Sequence, residues 1–384
     1  MAHVVEINDP AELANYRVLW TKLQGETTGA SFFHSLDWLE IYWRHYGERQ
    51  RLRVLLVDVG GIPIGILPLV VRREGTRLGT IRVLTYPLAD WGSFYGPIGP
   101  HPTATLIAGL GHVGRTMADW DLIDLRWIDG SAACDRVLRA MEIRGLTAST
   151  AVWAESAQIE LKGSWETYLA GRKRSWRKSI RYAERRLAER GVVEFTRIRP
   201  RGAACGEDDP HWPQYDACES LAMQSWQGSS TTGTTLSHAA VRPFLRAAHE
   251  VATHAGAADI SLLTVGGAAA AFAYCYQSAG YVYGLRMGFD GRFDGAGTVL
   301  LARLVEDSFQ RGDRIIDLGS EYLDCKRPWL TRLADSFHVT HFRAHGMKAQ
   351  ALRLKRWLGG IRHHRGGEEK PAAPERPAEL IPLR

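Results

Sequence analysis

The sequence lacks the features of a membrane-spanning or secreted protein. No stretch of its 384 residues approaches the roughly 18–20 apolar residues that a transmembrane helix needs. The first residues, MAHVVEINDP, show no basic segment followed by an apolar one, so no secretory signal is recognised. These absences predict a cytoplasmic protein without a transmembrane segment.

Cysteine is scarce, and its spacing carries no recognisable chemistry. The five cysteines are odd in number and widely separated, at positions 134, 205, 218, 275 and 325. They form neither a disulfide framework nor a metal-ligand pattern, which is typical of a reducing compartment. The 14 histidines do not show the HExxH spacing of a zinc site. We therefore predict no metal cofactor.

The composition is that of a globular protein, with 45% hydrophobic and 23% charged residues. The length exceeds what one core usually fills, so two domains are expected. We predict an α+β (mixed α/β) fold with an N-terminal domain over 1–160 and a C-terminal domain over 161–362. The remaining residues, 363–384, are rich in Pro, Glu and Arg and are predicted to be disordered.

The order helix, helix, hairpin, strand, helix, strand occurs twice in the pattern of apolar and turn residues. In the first half, a helix over 35–46 has Ser35 as its N-cap and ends at Gly47, and a hairpin over 52–73 turns at Gly60-Gly61. The second half begins with one long helix over 163–191 and has its own Gly-Gly hairpin turn. This repetition predicts two related domains in tandem, each a mixed twisted sheet flanked by helices.

The segment 281–329 contains the most informative motifs. A strand over 281–289 runs through a Gly-containing loop into an amphipathic helix, whose first N–H groups and dipole suit a pyrophosphate. The loop has neither the Gly-Lys-Ser/Thr ending of a P-loop nor the GxGxxG spacing of a dinucleotide fold. The next strand ends in DLGSEYLDCKRPWL (317–330), which places several charged residues where open sheets often carry sites. A solvated charged loop is the alternative for that second motif.

These segments resemble a known family. The runs RKRSWRKSIRYAERRLAERG, SWQGSSTTGTTL, YVYGLRMGFDGRFDGAGTVLL and DLGSEYLDCKRPWL are similar to the C-terminal domain of the CelD-like (BioF-like) GNAT acyltransferases, relatives of the Fem-type aminoacyl transferases. Three residues depart from the family pattern: Ala296 stands where Pro is frequent, Glu321 where Gly is common, and Cys325 where Tyr usually precedes the lysine. The last two flank the expected acceptor pocket, so the acceptor can differ here.

The resemblance implies an N-acyltransferase that moves an acyl group, acetyl above all, from acetyl-CoA or another acyl-CoA to an amine. A small-molecule or glycan acceptor is expected, such as an amino sugar or an envelope polysaccharide precursor. The roles it implies fall to ten residues. They are Gly295, Gly297 and Thr298 for the pyrophosphate with Arg292 as charge partner, Asp317 or Glu321 as base, Tyr283 or Lys326 as acid or polarising group, and Trp226 and Arg286 for the acceptor pocket.

Each role has a structural alternative. Asp317 can cap the turn after its strand, Lys326 can be a surface or ion-paired lysine, and Trp226 can belong to the core. Arg286 is less easily explained, because a central strand does not readily bury an unpaired charge. If Asp317 is the base, Asp317→Asn is expected to lose most turnover with little change in thermal stability.

Two other functions remain open at this point. The donor could be an aminoacyl-tRNA, as in the Fem-type enzymes, because the helix around 171–190 carries nine Lys and Arg residues that could contact phosphates. The long helical hairpin of those enzymes has no counterpart here, so tRNA is expected as a partner only under this alternative. The chain could also be a non-catalytic scaffold that binds nucleic acid or an anionic membrane.

Overall fold

The computed structural model describes residues 2–76, 79–88, 91–116, 119–229, 235–344 and 346–355. The tail predicted to be disordered, 363–384, lies outside the described residues. Twelve strands are numbered in chain order: β1 Ala2–Ile7, β2 Arg51–Val59, β3 Ile62–Thr76, β4 Gly79–Thr85, β5 Leu122–Asp129, β6 Ser149–Glu160, β7 Val193–Ile198, β8 Ala258–Val265, β9 Ala268–Ser278, β10 Tyr281–Phe289, β11 Ile315–Asp317 and β12 Arg332–Phe342.

The helices lie between these strands, which makes the fold mixed α/β as predicted. In chain order they are α1 Arg17–Gly25, α2 Leu36–Tyr46, α3 Pro102–Arg115, α4 Gly130–Ile143, α5 Trp165–Ala170, α6 Arg174–Ala188, α7 Trp212–Gln224, α8 Arg242–His254, α9 Ala296–Arg311 and α10 Leu323–Lys326. Short 3-10 helices include Pro10–Tyr16 and Trp226–Ser229. None of the helices in the described ranges is long and apolar enough to cross a membrane.

The chain forms two compact units. Among the described residues, unit 1 comprises 2–155 and 335–355, and unit 2 comprises 156–334. The sequence predicted a division at 160/161 and one continuous second domain up to 362. In the structure the division falls within β6, and the described residues from Asp335 to 355 belong to unit 1.

Unit 1 is built on strands in the order β1-β2-β3-β4-β5-β12. The pairs are antiparallel except β4 with β5, which run parallel. Helix α2 begins and ends as predicted: the Ser35 hydroxyl accepts the Trp38 N–H at 3.0 Å, and Gly47 follows its last residue. Trp20, Leu39 and Tyr42 from α1 and α2 pack with Val54 of β2 in the core of this unit.

Unit 2 has the strand order β6-β11-β10-β9-β8-β7. Here too one pair, β10 with β11, is parallel and its neighbours are antiparallel. The predicted repetition is confirmed, because α1, α2, β2–β3, β4, α3, β5 and α7, α8, β8–β9, β10, α9, β11 follow the same order. Both Gly-Gly hairpin turns also occur where they were predicted.

The prediction of one long helix over 163–191 is wrong. The segment forms α5 and α6, separated at 171–173. Gly171 is a poor helix former at this break, and the residues beside it bind elsewhere: the Tyr168 hydroxyl donates to Trp329 O, and Arg172 Nη1 donates to Leu330 O at 2.7 Å. The apolar stripe of the segment nevertheless packs on the core of unit 2, as Ile180 does.

Several elements differ from the sequence prediction because their sequences are short or weakly patterned. Strands β1 and β12 were not predicted, although β1 pairs with β2 and β12 with β5, which both were. A strand pair was expected across 80–98, but in the described residues only β4 forms there. The chain after it carries closely spaced aromatic and Gly residues instead.

Candidate functional site

The candidate site lies where β10 and β11 separate. The two strands pair over only three residues, Tyr281–Tyr283 with Ile315–Asp317, while β10 continues to Phe289. A register shift between Gly284 and Arg286 marks a bulge in β10 at this point. Gly284 is needed for the close approach of the strands, because a Cβ there would lie 2.6 Å from Asp317 O. Beyond Tyr283, β10 therefore presents an edge that β11 does not pair.

The side chain of Gln227 contacts a backbone carbonyl on this open edge. Asp290 N–H donates to Ala270 O on the β9 side, so strand alternation directs the Met287 carbonyl to the open edge. Gln227 Nε2 donates to that carbonyl at 3.0 Å. Gln227 is 1% exposed, and within the described residues its Oε1 has no hydrogen-bond partner. Sequence reasoning missed Gln227, although it follows the predicted Trp226 directly.

Asp317 ends β11 and is 4% exposed. Its Oδ1 accepts the Gly319 N–H at 2.7 Å, and its Oδ2 accepts the Tyr281 hydroxyl at 2.9 Å and Gln158 Nε2 at 3.1 Å. Asp317 therefore does cap the turn after its strand, and it also belongs to a buried polar network. Tyr281 and Gln158 were not predicted; a buried glutamine within the apolar end of β6 was the available signal.

Burial shifts the proton affinity of both titratable groups at this strand end. Burial raises the pKa of Asp317 above its ordinary value of 3.8, and the hydrogen bonds from Gly319, Gln158 and Tyr281 oppose that rise. Burial also lowers the pKa of Lys326 below 10.5, against the nearby charges of Asp317 and Glu321. Lys326 Nζ donates to Gly319 O at 3.2 Å. The structure thus brings three of the predicted catalytic residues together around the β11 turn.

Tyr283 and Arg286 lie on β10 beside this turn. Tyr283 is 7% exposed, and its ring stacks on Tyr281 with centroids 4.3 Å apart. Arg286 Nη1 donates to Leu285 O at 2.6 Å, at the bulge. Its charge also contributes to the lowered pKa of Lys326, which places it close to the lysine. Arg286 is half-buried and near Lys326, and its role in an acceptor pocket stays a prediction.

The Gly loop after β10 leads directly to the N-terminus of α9, as predicted. Gly295 caps the helix with φ +88°, and a Cβ there would lie 2.8 Å from the Cβ of Ala183 on α6. Gly297 is buried beneath the ring of Phe289, and Thr298 is half-buried in the first turn. An α-helix leaves its first N–H groups without intrahelical partners, so this turn can donate to an anion.

Arg292 is exposed beside this helix terminus but is engaged by a carboxylate. Its Nε donates to Asp290 Oδ2 at 2.8 Å and its backbone N–H to Asp290 Oδ1 at 2.9 Å. Two arginines of α6 also contact the loop: Arg186 Nη1 donates to Asp294 at 2.7 Å, and Arg190 donates to Arg292 O. Part of the basic surface of α6 therefore stabilises the loop.

The two remaining predictions concern Trp226 and metal binding. The side chain of Trp226 lies outside the described part of the chain, so its predicted role stays a prediction. Across the described ranges, no group of three or more His, Cys, Asp and Glu side chains could hold a metal ion.

A segment in the second half of the chain matches a known family. Residues 174–327 match the family described as Acetyltransferase (GNAT) domain. This range contains the open edge of β10, the Gly loop and the β11 turn. No curated protein matches the chain.

Solved structures share the fold over nearly the whole length. FemX is 11% identical with a TM-score of 0.61, covering 92% of this chain and 99% of its own. L-PGS from Bacillus licheniformis is 12% identical with a TM-score of 0.53, covering 92% and 98%. At this identity the likeness concerns the fold: both units, and not only the residues of the matched family, have counterparts in these proteins.

Proposed function

We propose that this chain, whose residues 174–327 match the GNAT acetyltransferase domain family, is an N-acyltransferase that moves an acyl group from an acyl-CoA to an amine. The observation that carries the proposal is the separation of β10 from β11, followed at once by a helix N-terminus. An extended donor arm with its own amides can pair with an unpaired strand edge. Its pyrophosphate can bind where the edge ends, at the first turn of α9.

The polar groups along the edge suit the amide-bearing arm of coenzyme A. Gln227 Oε1 is a buried acceptor without a partner in the described residues, which ordinarily costs about 1–3 kcal/mol. An amide N–H of the donor arm would satisfy it. Gly295, Gly297 and Thr298 would bind the pyrophosphate, and Arg292 would add charge at the same end if it left Asp290.

The β11 turn would supply the proton transfer. The amine nitrogen attacks the thioester carbonyl carbon, the C–N bond forms, and the C–S bond breaks as the thiolate leaves. Asp317, with its raised pKa, would receive the amine proton through the Tyr281 hydroxyl that bonds it. Tyr283 or Lys326 would return a proton to the thiolate. Glu321 is the other candidate base, and Trp226 with Arg286 would contact the acceptor.

The family resemblance supports a choice of acceptor, and the cysteines support a location. CelD-like relatives suggest an amino sugar or an envelope polysaccharide precursor as the amine. All five cysteines are free thiols, which fits a reducing cytoplasm.

A second candidate donor is an aminoacyl-tRNA. It is favoured by the fold shared with FemX and L-PGS and by the N-terminal part of α6, where Lys173, Arg174, Lys178 and Arg181 are exposed. Exposed cations in a row can contact a phosphate backbone. The two candidates differ in the donor, and the same β11 turn would serve both reactions.

Thermal unfolding with CoA, acetyl-CoA, longer acyl-CoAs and a mixed aminoacyl-tRNA pool separates them. A ligand at 100 times its Kd adds roughly 2.7 kcal/mol to the free energy of unfolding, a shift of a few degrees. We expect a shift with CoA compounds. A shift with tRNA alone would indicate aminoacyl-tRNA as the donor in place of acyl-CoA. No shift with either ligand would favour the non-catalytic scaffold.

A further inference from the structure

Unit 1 contains an aromatic surface that the proposed reaction does not use. Trp127 on β5 and Trp153 on β6 are both half-buried, and their rings meet edge to face with centroids 6.4 Å apart. Phe94 packs against Trp127 in the same geometry at 6.2 Å. Each indole is thus held on part of its surface by neighbouring side chains and remains partly exposed.

The backbone is strained where this surface is formed. Trp127 has φ +59° and Phe94 has φ +51°, values that bulky side chains rarely adopt. The register between β5 and β12 shifts at this point, between Phe337 and Val339. The Trp127 carbonyl is turned away from the ladder and accepts the Tyr95 N–H at 2.9 Å. Such strain costs free energy and clusters at ligand-binding positions.

A buried carboxylate orients a histidine beside the two indoles. Asp124 is 1% exposed, and its Oδ1 lies 3.1 Å from Nδ1 of His338. The His338 ring is 5.4 Å from Trp153, tilted by 49°. With Nδ1 engaged by Asp124, Nε2 at the far side of the ring can bond a ligand. The histidine side chain is 12% exposed.

The charges behind the surface cancel. Arg126 lies 5.0 Å over the Trp153 ring and donates to Asp124 at 2.8 Å and to Glu74 at 2.9 Å. Arg72 donates to the other oxygen of Glu74 at 2.6 Å. Two arginines thus balance two carboxylates, so the buried charges beside the indoles sum to zero and do not favour a phosphate, while His338 adds one hydrogen-bonding imidazole.

We propose that the surface formed by Trp127, Trp153 and His338 binds the pyranose ring of a sugar. The C–H face of a pyranose is apolar and packs on indole rings, while its hydroxyls can donate to or accept from Nε2 of His338. The inference goes beyond the proposed function, because the binding itself needs no acyl donor.

Isothermal titration of the full chain with tetra-glucosamine tests the site. Wild-type protein is expected to bind, Trp153→Ala to bind at least tenfold more weakly, and His338→Gln about tenfold more weakly. Trp43→Phe is the matched control: Trp43 is another half-buried tryptophan of unit 1, packed on the core away from this surface, and should bind like wild type. If Trp153→Ala does not fold, Trp153→Phe replaces it, with a smaller expected loss.

The proposal would be overturned if wild-type protein did not bind, or if the Trp153 and His338 variants bound as tightly as wild type. Tighter binding of uridine than of tetra-glucosamine would overturn the sugar as ligand class. Thermal shifts with acetyl-CoA are measured on the same variants. Sugar binding that depends on Trp153, without any shift by acyl-CoA, would leave this site standing and reject the proposed donor.

Discussion

A buried carboxylate such as Asp317 suits proton transfer because burial raises its pKa toward neutrality. The same burial makes it a structural residue, since it receives the Gly319 N–H, the Tyr281 hydroxyl and the Gln158 amide. The expectation that its removal leaves thermal stability unchanged does not fit these contacts. For a substitution of this residue, turnover and the free energy of unfolding must therefore be measured together.

Asp317→Asn is expected to lower both turnover and stability. The amide cannot take up the amine proton, so kcat should fall by about 10²–10⁴-fold, the usual range for a general base. Its NH2 group would also face the donors Tyr281 and Gln158, at a cost of about 1–3 kcal/mol in the free energy of unfolding. Steady-state kinetics and urea unfolding of the purified variant measure the two effects.

Glu321→Gln is the matched control for the base. Glu321 is half-buried near Lys326, and the amide preserves its size. A variant that keeps most of its turnover leaves Asp317 as the base. If Glu321→Gln loses more turnover than Asp317→Asn, the assignment passes to Glu321.

The loop between β10 and α9 is shaped by the helix that packs on it. Ala183 of α6 fits against Gly295, and Arg186 and Arg190 of the same helix bind the loop. The element is thus a helix terminus held by a second helix. Its Gly residues serve this packing as well as any contact with an anion.

Gly295→Ala is expected to damage this element and the donor site together. The added Cβ meets Ala183 at 2.8 Å, and φ +88° is unfavourable for alanine, so we expect a loss of about 1–3 kcal/mol in the free energy of unfolding. Acetyl-CoA should bind at least tenfold more weakly, as measured by calorimetry. Gly291→Ala in the same loop has nothing within 4 Å of the new Cβ and should change both quantities little. Equal effects of the two substitutions would contradict this account of the loop.

The two units share an element order but differ at the strand that would bind the donor. In unit 2, β10 continues past its parallel partner and enters a Gly loop. In unit 1, β4 ends at Thr85, directly after its pairing with β5. Of the described residues that follow, Tyr95 bonds β5 and Ile98 pairs with Ile66 of β3. Helix α3 then begins with Pro102, which has no N–H to offer an anion.

The whole chain is therefore expected to bind one donor molecule. Calorimetric titration with acetyl-CoA should give a stoichiometry of about one per chain, since within the described residues β10 of unit 2 continues past its parallel partner and β4 of unit 1 does not. The Gly295→Ala variant should lose that site without revealing another. A stoichiometry of two would show that unit 1 also binds the donor.

Local chemistry made much of this structure predictable. Helix α2, the two Gly-Gly hairpins and the Gly loop before α9 depend on residues adjacent in sequence, such as Ser35 at the N-cap. The doubled element order followed from the same local patterns. In contrast, β12 and the break between α5 and α6 depend on distant partners, such as the Trp329 carbonyl that binds Tyr168.

The amino-acid sequence by itself determined which residues could carry the chemistry, because a Gly loop before a helix and a charged strand end are local features. Only the tertiary structure decided how they meet. The raised pKa of Asp317 arises from burial beside Tyr281 and Gln158, which lie 36 and 159 positions away in the chain. The pairing of Trp127 and Trp153 with His338 likewise needs three strands together. Such contacts join residues that are far apart in the sequence, and they form only when the folded chain packs these residues together.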